Sequence, residues 1–317
     1  MKIVILDGHA VNPGDLSWDR FKEFGEVTVY EYTEESQILE RIGNAQIVMT
    51  NKTPLTADTF MKCPNIQLVC VLATGYNVVD CKAASARNVP VCNVPDYGTA
   101  SVAQFTFALL LELCHRVGHH NKSVHQGNWT SSPYFCFWDT PQMELAGKTL
   151  GIIGFGRIGR AVGKIAKAMG MEVIAYNRSR HPEGLEIAEY VDLDTLLRRS
   201  DIISLHCPLT AENAKLICAD TIAKMKDGVI LLNTARGGLL NEQDVADALR
   251  NGKISSAAVD VVSYEPIAAD NPLLSAPNCI ITPHMAWAPI EARQRILDCT
   301  SASIQGFLNG TPINTVN

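Results

Sequence analysis

Short runs of aliphatic and β-branched residues alternate with stretches of helical periodicity along nearly the whole chain. In the first hundred residues the runs are KIVIL (2–6), VTVY (27–30), QIVMT (46–50), LVCVL (68–72) and VPVCN (89–93). They are continuously apolar rather than alternating, which suits parallel strands covered on both faces. A helix-like stretch follows each, so this block reads as an α/β layer structure. A second set starts near residue 149: TLGII (149–153), EVIAY (172–176), DIISLH (201–206), GVILLN (228–233), AAVDVV (257–262) and CIITPH (279–284). Helical patterns lie between most of these as well. The rhythm predicts α/β architecture with two doubly wound parallel-sheet domains.

Between the blocks, Ser101–Val117 is apolar enough to be a buried helix. The polar stretch 119–143 shows no periodicity and holds Trp129, Tyr134, Phe135, Phe137 and Trp138. A long stretch of this kind with so many aromatics suggests an arm, at about 119–145, that contacts another subunit. The last helix, roughly 290–309, is expected to pack back on the first block. The expected division is 1–98 plus 286–317 for a smaller domain and 99–285 for a larger one.

Composition narrows the class. The 317 residues suit two domains, and 47% hydrophobic with 19% charged residues allows large cores. A net charge of −6 argues against nucleic acid as a partner. The ten cysteines include no C-x-x-C and several sit inside apolar runs, so they read as reduced thiols of a cytoplasmic protein. The opening run MKIVIL meets Asp7-Gly8 too early for a secretory core, and no apolar stretch is long enough to span a bilayer.

The strongest local signal is Gly154-Phe155-Gly156-Arg157-Ile158-Gly159. It follows the strand TLGII and opens a helix carrying Ile158, Val162, Ile165 and Met169 on one face, the context a dinucleotide fingerprint requires. Gly154 permits the turn, Gly156 lets a pyrophosphate approach, and Gly159 lets helix and sheet pack closely. The larger block therefore reads as a Rossmann dinucleotide-binding domain, with the phosphates at a helix N-terminus. The next strand ends at Asn177, followed by Arg178, Ser179 and Arg180, where NAD-binding sequences usually carry a carboxylate. Without that negative charge, and with arginines nearby, a 2′-phosphate is tolerated, so both NAD and NADP stay open.

Ligands of open α/β sheets sit beyond the carboxyl ends of the strands. Three strand ends of the second block carry reactive residues: Arg236 after GVILLN, Glu265 after AAVDVV, and His284 at the end of CIITP. Arginine offers a planar fork for a carboxylate. Histidine can give a proton to a carbonyl oxygen being reduced, or take it back. Glutamate can hold the imidazole and favour its charged form. The trio suits hydride transfer to a small 2-keto acid.

At these residues the sequence resembles the D-isomer-specific 2-hydroxyacid dehydrogenase family. The matching pieces are Gly154–Gly159, His206-Cys207-Pro208-Leu209-Thr210, Asn233-Thr234-Ala235-Arg236-Gly237, Val259-Asp260, Glu265-Pro266 and Pro283-His284. The resemblance implies a flavodoxin-like substrate domain beside the Rossmann domain, and Arg236, Glu265 and His284 as the catalytic residues. It further implies that the loop holding Thr74 and Gly75 receives the substrate carboxylate on its N–H groups. Arg157 and Ile158 would face the pyrophosphate, Cys207 and Pro208 the adenosine side, and Asp260 the nicotinamide amide; Thr234 and Ala235 belong to the same cofactor set. A homodimer is implied, with Trp138 as an arm residue that reaches the partner's site. The pieces Asn51-Lys52-Thr53-Pro54, Phe137-Trp138-Asp139 and His284-Met285-Ala286-Trp287 point to the branch interconverting hydroxypyruvate and D-glycerate. D-lactate or another 2-hydroxy acid, and a non-enzymatic nicotinamide-sensing protein of the same fold, stay open as alternatives.

Two further features are ambiguous. Lys52 is either a substrate-side cation or a surface residue. His115, His119 and His120 lie near a helix end with no carboxylate at matching spacing, and hydride chemistry needs no metal, so no metal site is expected.

Overall fold

The computed structural model describes residues 1–317 and divides them into two compact units, Met1–Gly98 with Trp287–Asn317, and Thr99–Ala286. In the first unit the strands are β1 (Lys2–Ile5), β2 (Glu26–Val29), β3 (Ile47–Thr50), β4 (Leu68–Val71) and β5 (Val91–Cys92), with helices α1 (Ile38–Ile42), α2 (Ala57–Lys62) and α3 (Cys81–Ser85). They form a parallel sheet in the order β2-β1-β3-β4-β5. The continuous apolar runs are explained by the two-residue period of a strand. Val4, Val48, Val69 and Val71 enter one core, while Ile3, Ile5, Ile47, Met49, Leu68 and Cys70 enter the other. Strand β2 is the exception, with three of its four residues exposed at the sheet edge.

The opposite edge is covered by the chain's own end. Thr315 pairs antiparallel with Cys92, the Asn93 N–H donates to the Asn314 carbonyl at 3.1 Å, and the Val316 N–H to the Val91 carbonyl at 2.9 Å. An edge strand left bare would template association with another strand.

The second unit opens with α4 (Thr99–His115), buried along much of its length, and α5 (Val117–His125). Arg116 lies between them in the left-handed region, with φ +49°. The stretch expected to be irregular from residue 119 therefore begins as helix. Its residues VGHHNKSVH bury only Ser123, so there was no apolar stripe to betray the period.

Then follow β6 (Thr149–Ile153), α6 (Arg157–Ala168), β7 (Glu172–Tyr176), α7 (Pro182–Leu185), β8 (Glu189–Tyr190), α8 (Leu193–Arg199), β9 (Ile202–Leu205), α9 (Ala219–Ala223), β10 (Val229–Asn233), α10 (Glu242–Asn251), β11 (Ile254–Val259) and β12 (Cys279–Ile281). The sheet is parallel throughout, in the order β12-β11-β10-β9-β6-β7-β8. The short β8 has no apolar run and was not foreseen. On α6 the buried face is Gly159, Val162, Gly163 and Ala166, with Ile158 and Ile165 only partly covered. A Cβ on Gly163 would sit 2.8 Å from Ile187, so small residues, not the large apolar ones, set the closest approach.

Helix α11 (Ile290–Leu308) returns to the first unit and places Ile296, Leu297 and Ile304 in the core with Ile3 and Ile47. Ala286, expected with the first unit, stays with the second, where its N–H donates to Asp260 at 2.8 Å. No helix is long and apolar enough to cross a membrane.

Candidate active site

The second sheet gathers its chemistry at the carboxyl ends of its strands. After β6, Gly154 turns the chain with φ +94°, and a Cβ there would come within 2.4 Å of the Cys207 nitrogen. The glycine turn is thus pressed against the start of the loop after β9. A Cβ on Gly159 would meet the Gly154 carbonyl at 2.3 Å, whereas one on Gly156 would meet nothing within 4 Å. The open side at Gly156, ahead of the α6 N-terminus with Arg157 and Ile158, is what a bound diphosphate requires. His206, beside this turn, takes a 2.8 Å hydrogen bond between Nε2 and Ser204 Oγ, while its buried Nδ1 has no partner within the chain. Burial pushes the His206 pKa down to about 3. These features fit a nicotinamide dinucleotide.

Asn177 follows β7 directly, and its side chain is internally engaged. Its Oδ1 accepts from the Phe155 N–H at 3.1 Å, and its Nδ2 donates to the Ser179 carbonyl at 2.7 Å. It therefore ties the glycine loop to the 177–181 turn. Arg178 and Ser179 are exposed beside it, and Arg180 lies 5.9 Å from the Tyr190 ring centroid. Cys207 is half-buried and Pro208 exposed.

The reactive trio lies on the loops that follow three neighbouring strands, β10, β11 and β12. Asn233, fully buried at the end of β10, shapes the turn that presents Arg236. Its Nδ2 donates to the Arg236 carbonyl at 3.0 Å and its Oδ1 accepts from the Ala235 N–H at 3.0 Å. Thr234 Oγ1 lies 3.1 Å from Thr106 Oγ1, joining the turn to α4. Gly237 then passes so close to β11's loop that a Cβ would fall 1.8 Å from the Val262 carbonyl carbon. Arg236 is exposed, with Nη1 donating to the Ala235 carbonyl at 2.7 Å.

Glu265 and His284 meet directly, Oε2 to Nδ1 at 2.7 Å. Glu265 Oε1 also accepts from the Val262 N–H at 3.3 Å. His284 adopts φ +52°, a region a bulky residue occupies only when its surroundings impose it. The surroundings here are Asp260. Its carbonyl accepts from the His284 N–H at 2.8 Å. Its carboxylate accepts from Thr282 Oγ1 at 2.6 Å, the Met285 N–H at 2.9 Å and the Ala286 N–H at 2.8 Å. Asp260 is only 1% exposed, so in this structure its carboxylate serves the His284 loop.

In the first unit, Lys52, Thr74 and Gly75 are exposed on loops past β3 and β4. The Thr74 hydroxyl is turned inward, donating to the Val94 carbonyl at 2.8 Å. Asp7, 6% exposed, accepts the N–H groups of Asn51, Lys52 and Thr53 at 2.7, 2.5 and 2.8 Å. The Asn51 Nδ2 donates to the Leu72 carbonyl at 2.8 Å, linking the two loops. Sequence reading missed Asp7, Asn233 and Thr282. A single polar residue ending an apolar run was the available signal for the first two. Trp138 is 65% exposed in the second unit's 126–145 stretch. All ten cysteines are free.

A family profile described as "D-isomer specific 2-hydroxyacid dehydrogenase, NAD binding domain" matches residues 107–286, more than half of the chain. The chain belongs to the D-isomer-specific 2-hydroxyacid dehydrogenase family. The dehydrogenase is 56% identical over 321 residues to hydroxypyruvate reductase of Blautia hydrogenotrophica, covering 100% of both chains. It is 40% identical over 318 residues to glycerate dehydrogenase of Methylorubrum extorquens, covering 99% of this chain and 98% of that one. Among solved structures, apo D-lactate dehydrogenase of Escherichia coli superposes with a TM-score of 0.88 at 29% identity, covering 100% of each. The dehydrogenase is thus an NAD(P)-dependent oxidoreductase acting on the CH–OH group of a small 2-hydroxy acid.

Proposed function

We propose that this dehydrogenase interconverts hydroxypyruvate and D-glycerate. The observation that carries the proposal is the 56% identity, along the full length, to a hydroxypyruvate reductase. The nicotinamide, when bound, supplies or receives the hydride. Arg236 is assigned the substrate carboxylate, which its fork matches in shape and charge. His284 is assigned the proton, given from Nε2 to the carbonyl oxygen on reduction and recovered on oxidation. Glu265 accepts from Nδ1–H and so sets which ring nitrogen serves the substrate; the 2.7 Å contact supports this role.

In the first unit the same reading gives the N–H groups of Thr74 and Gly75 to a carboxylate and makes Lys52 a substrate-side cation. Gly154, Gly156, Arg157, Ile158 and Gly159 hold the diphosphate. Asn177, Arg178, Ser179, Cys207 and Pro208 hold the adenosine half, and Thr234, Ala235 and Asp260 the nicotinamide half. Because the Asn177 amide is committed to Phe155 and Ser179, no carboxylate repels a 2′-phosphate and Arg178 stands exposed to pair with one. NADPH is therefore accepted alongside NADH. A homodimer is proposed through the 119–145 arm, where Phe135 is 89% and Trp138 65% exposed, with Trp138 reaching the partner's site. The ten free thiols favour a reducing, cytoplasmic location.

The test is the initial rate of reduced-nicotinamide oxidation with hydroxypyruvate, glyoxylate and pyruvate, run with NADH and NADPH. Hydroxypyruvate should give the highest kcat/KM, and Asn177→Asp should shift the cofactor ratio toward NADH. A higher kcat/KM for pyruvate would overturn the substrate assignment.

A further inference from the structure

No carboxylate stands at helical spacing from His119 and His120 on α5, but the fold brings one to them. Asp139 lies on the loop twenty positions after His119, and its Oδ2 is 2.7 Å from His119 Nε2. The Asp139 N–H donates to His120 Nε2 at 3.2 Å. One ligand-capable atom from each of His119, His120 and Asp139 falls within 4.8 Å of the other two. His120 Nδ1 is 2.9 Å from the Arg116 carbonyl and can only donate to it. That bond puts the proton on Nδ1 and aims the Nε2 lone pair toward Asp139, the outer contact that metal-binding imidazoles characteristically make. The other basic groups nearby are committed elsewhere: Arg116 Nη2 donates to Asn278 at 3.0 Å, and His115 Nδ1 pairs with Gln142 at 3.1 Å.

We propose that His119, His120 and Asp139 form a binding site for a divalent transition metal of the zinc class, which clasps loop 137–141 to α5. Two imidazoles and one carboxylate suit zinc, whereas calcium and magnesium take oxygen ligands. Zinc bonds of about 2.0–2.2 Å in a tetrahedron put donor atoms roughly 3.3 Å apart. The widest separation must therefore close by about 1.5 Å, which side-chain rotation of the exposed His119 and Asp139 provides. Metal binding breaks two hydrogen bonds, from His119 Nε2–H to the Asp139 carboxylate and from the Asp139 N–H to His120 Nε2, and the proton leaves His119 Nε2 so that the neutral ring carries its one proton on Nδ1. Three protein ligands leave a fourth position for water or another small ligand. Bound metal would fix the backbone next to Trp138, in a segment whose Trp129, Tyr134 and Phe135 are also exposed.

The test is calorimetric titration of the chelator-stripped full chain with Zn²⁺, paired with the visible absorption of its Co²⁺ form. The native chain and His115→Ala should each bind one tight equivalent. Asp139→Asn and His119→Ala remove direct ligands and should each weaken it by more than the roughly 10- to 100-fold that loss of an outer contact brings, and lose the Co²⁺ band. Unchanged affinity in Asp139→Asn, or a native chain that binds no tighter than His119→Ala, would overturn the proposal.

Discussion

In the first unit the carboxylate of Asp7, just past β1, collects the N–H groups of Asn51, Lys52 and Thr53. In the second, the carboxylate of Asp260, just past β11, collects the Thr282 hydroxyl and the N–H groups of Met285 and Ala286. Both are buried acids at the carboxyl end of a parallel strand, and both fix the loop after a neighbouring strand. What the loops carry is different. The Asp7 loop carries the exposed Lys52, its N–H groups being taken up by Asp7. The Asp260 loop carries His284 in a left-handed backbone conformation, with Glu265 on its ring. Two sheets built on one plan thus diverge at a few strand ends, where one carries an exposed lysine and the other a hydrogen-bonded glutamate–histidine pair.

The largest effect should come from removing the acid–base group. His284→Ala should cut kcat by about 10²–10⁴, while the dissociation constant for NADPH, read by fluorescence, stays within a few-fold. If cofactor binding fell as far as turnover, the residue would be structural.

The two aspartates should then separate. Asp7→Ala and Asp260→Ala each strand buried N–H groups and should each cost about 2–4 kcal/mol in urea unfolding. Asp260→Ala should also depress kcat, because the His284 loop loosens, whereas Asp7→Ala should raise KM more than it lowers kcat. Identical kinetic signatures would erase the distinction between the two edges.

A smaller effect concerns His206, whose ring is held neutral by burial with a pKa of about 3 against an ordinary 6.5. Between those values the unfolded chain binds more protons than the folded one. The stability His206 contributes is therefore complete above pH 6.5 and declines as pH falls toward 3, by up to about 1.4 kcal/mol per pH unit. His206→Asn does not titrate, so the stability difference between native and variant should move in the variant's favour from pH 7.5 to pH 5. A difference that stayed constant would show that the ring is solvated in the folded state.

The smallest effect belongs to the first unit's edge. Deleting residues 314–317 removes the pairing with β5 and should cost about 1–3 kcal/mol, with more self-association and little change in kcat. Light scattering at rising concentration would check this, and an unchanged profile would mean that β5 needs no cover.

Much of the fold was legible because each central strand feeds two apolar cores, which makes its run continuous, and because the fingerprint glycines sit where strand meets helix. The exposed α5 and the two-residue β8 were not legible, since neither buries a patterned face. At the site, Arg236, Glu265 and His284 stood out as reactive residues at strand ends. Of the residues that position them, Asn233 and Thr282 did not and Asp260 stood out only as a cofactor residue, because their hydrogen bonds depend on which loops the sheet order makes neighbours. Asp139 shows the same limit: its distance from His119 in sequence concealed a 2.7 Å contact.

In the proposed mechanism Glu265 acts through His284, and a double-mutant cycle separates that role from an incidental contact. Turnover of hydroxypyruvate would be measured for the native chain, Glu265→Gln, His284→Ala and the double variant. If the two residues work as one unit, the double variant should lose no more than about as much kcat as His284→Ala alone. Losses that multiply would mean that the 2.7 Å contact is incidental to catalysis.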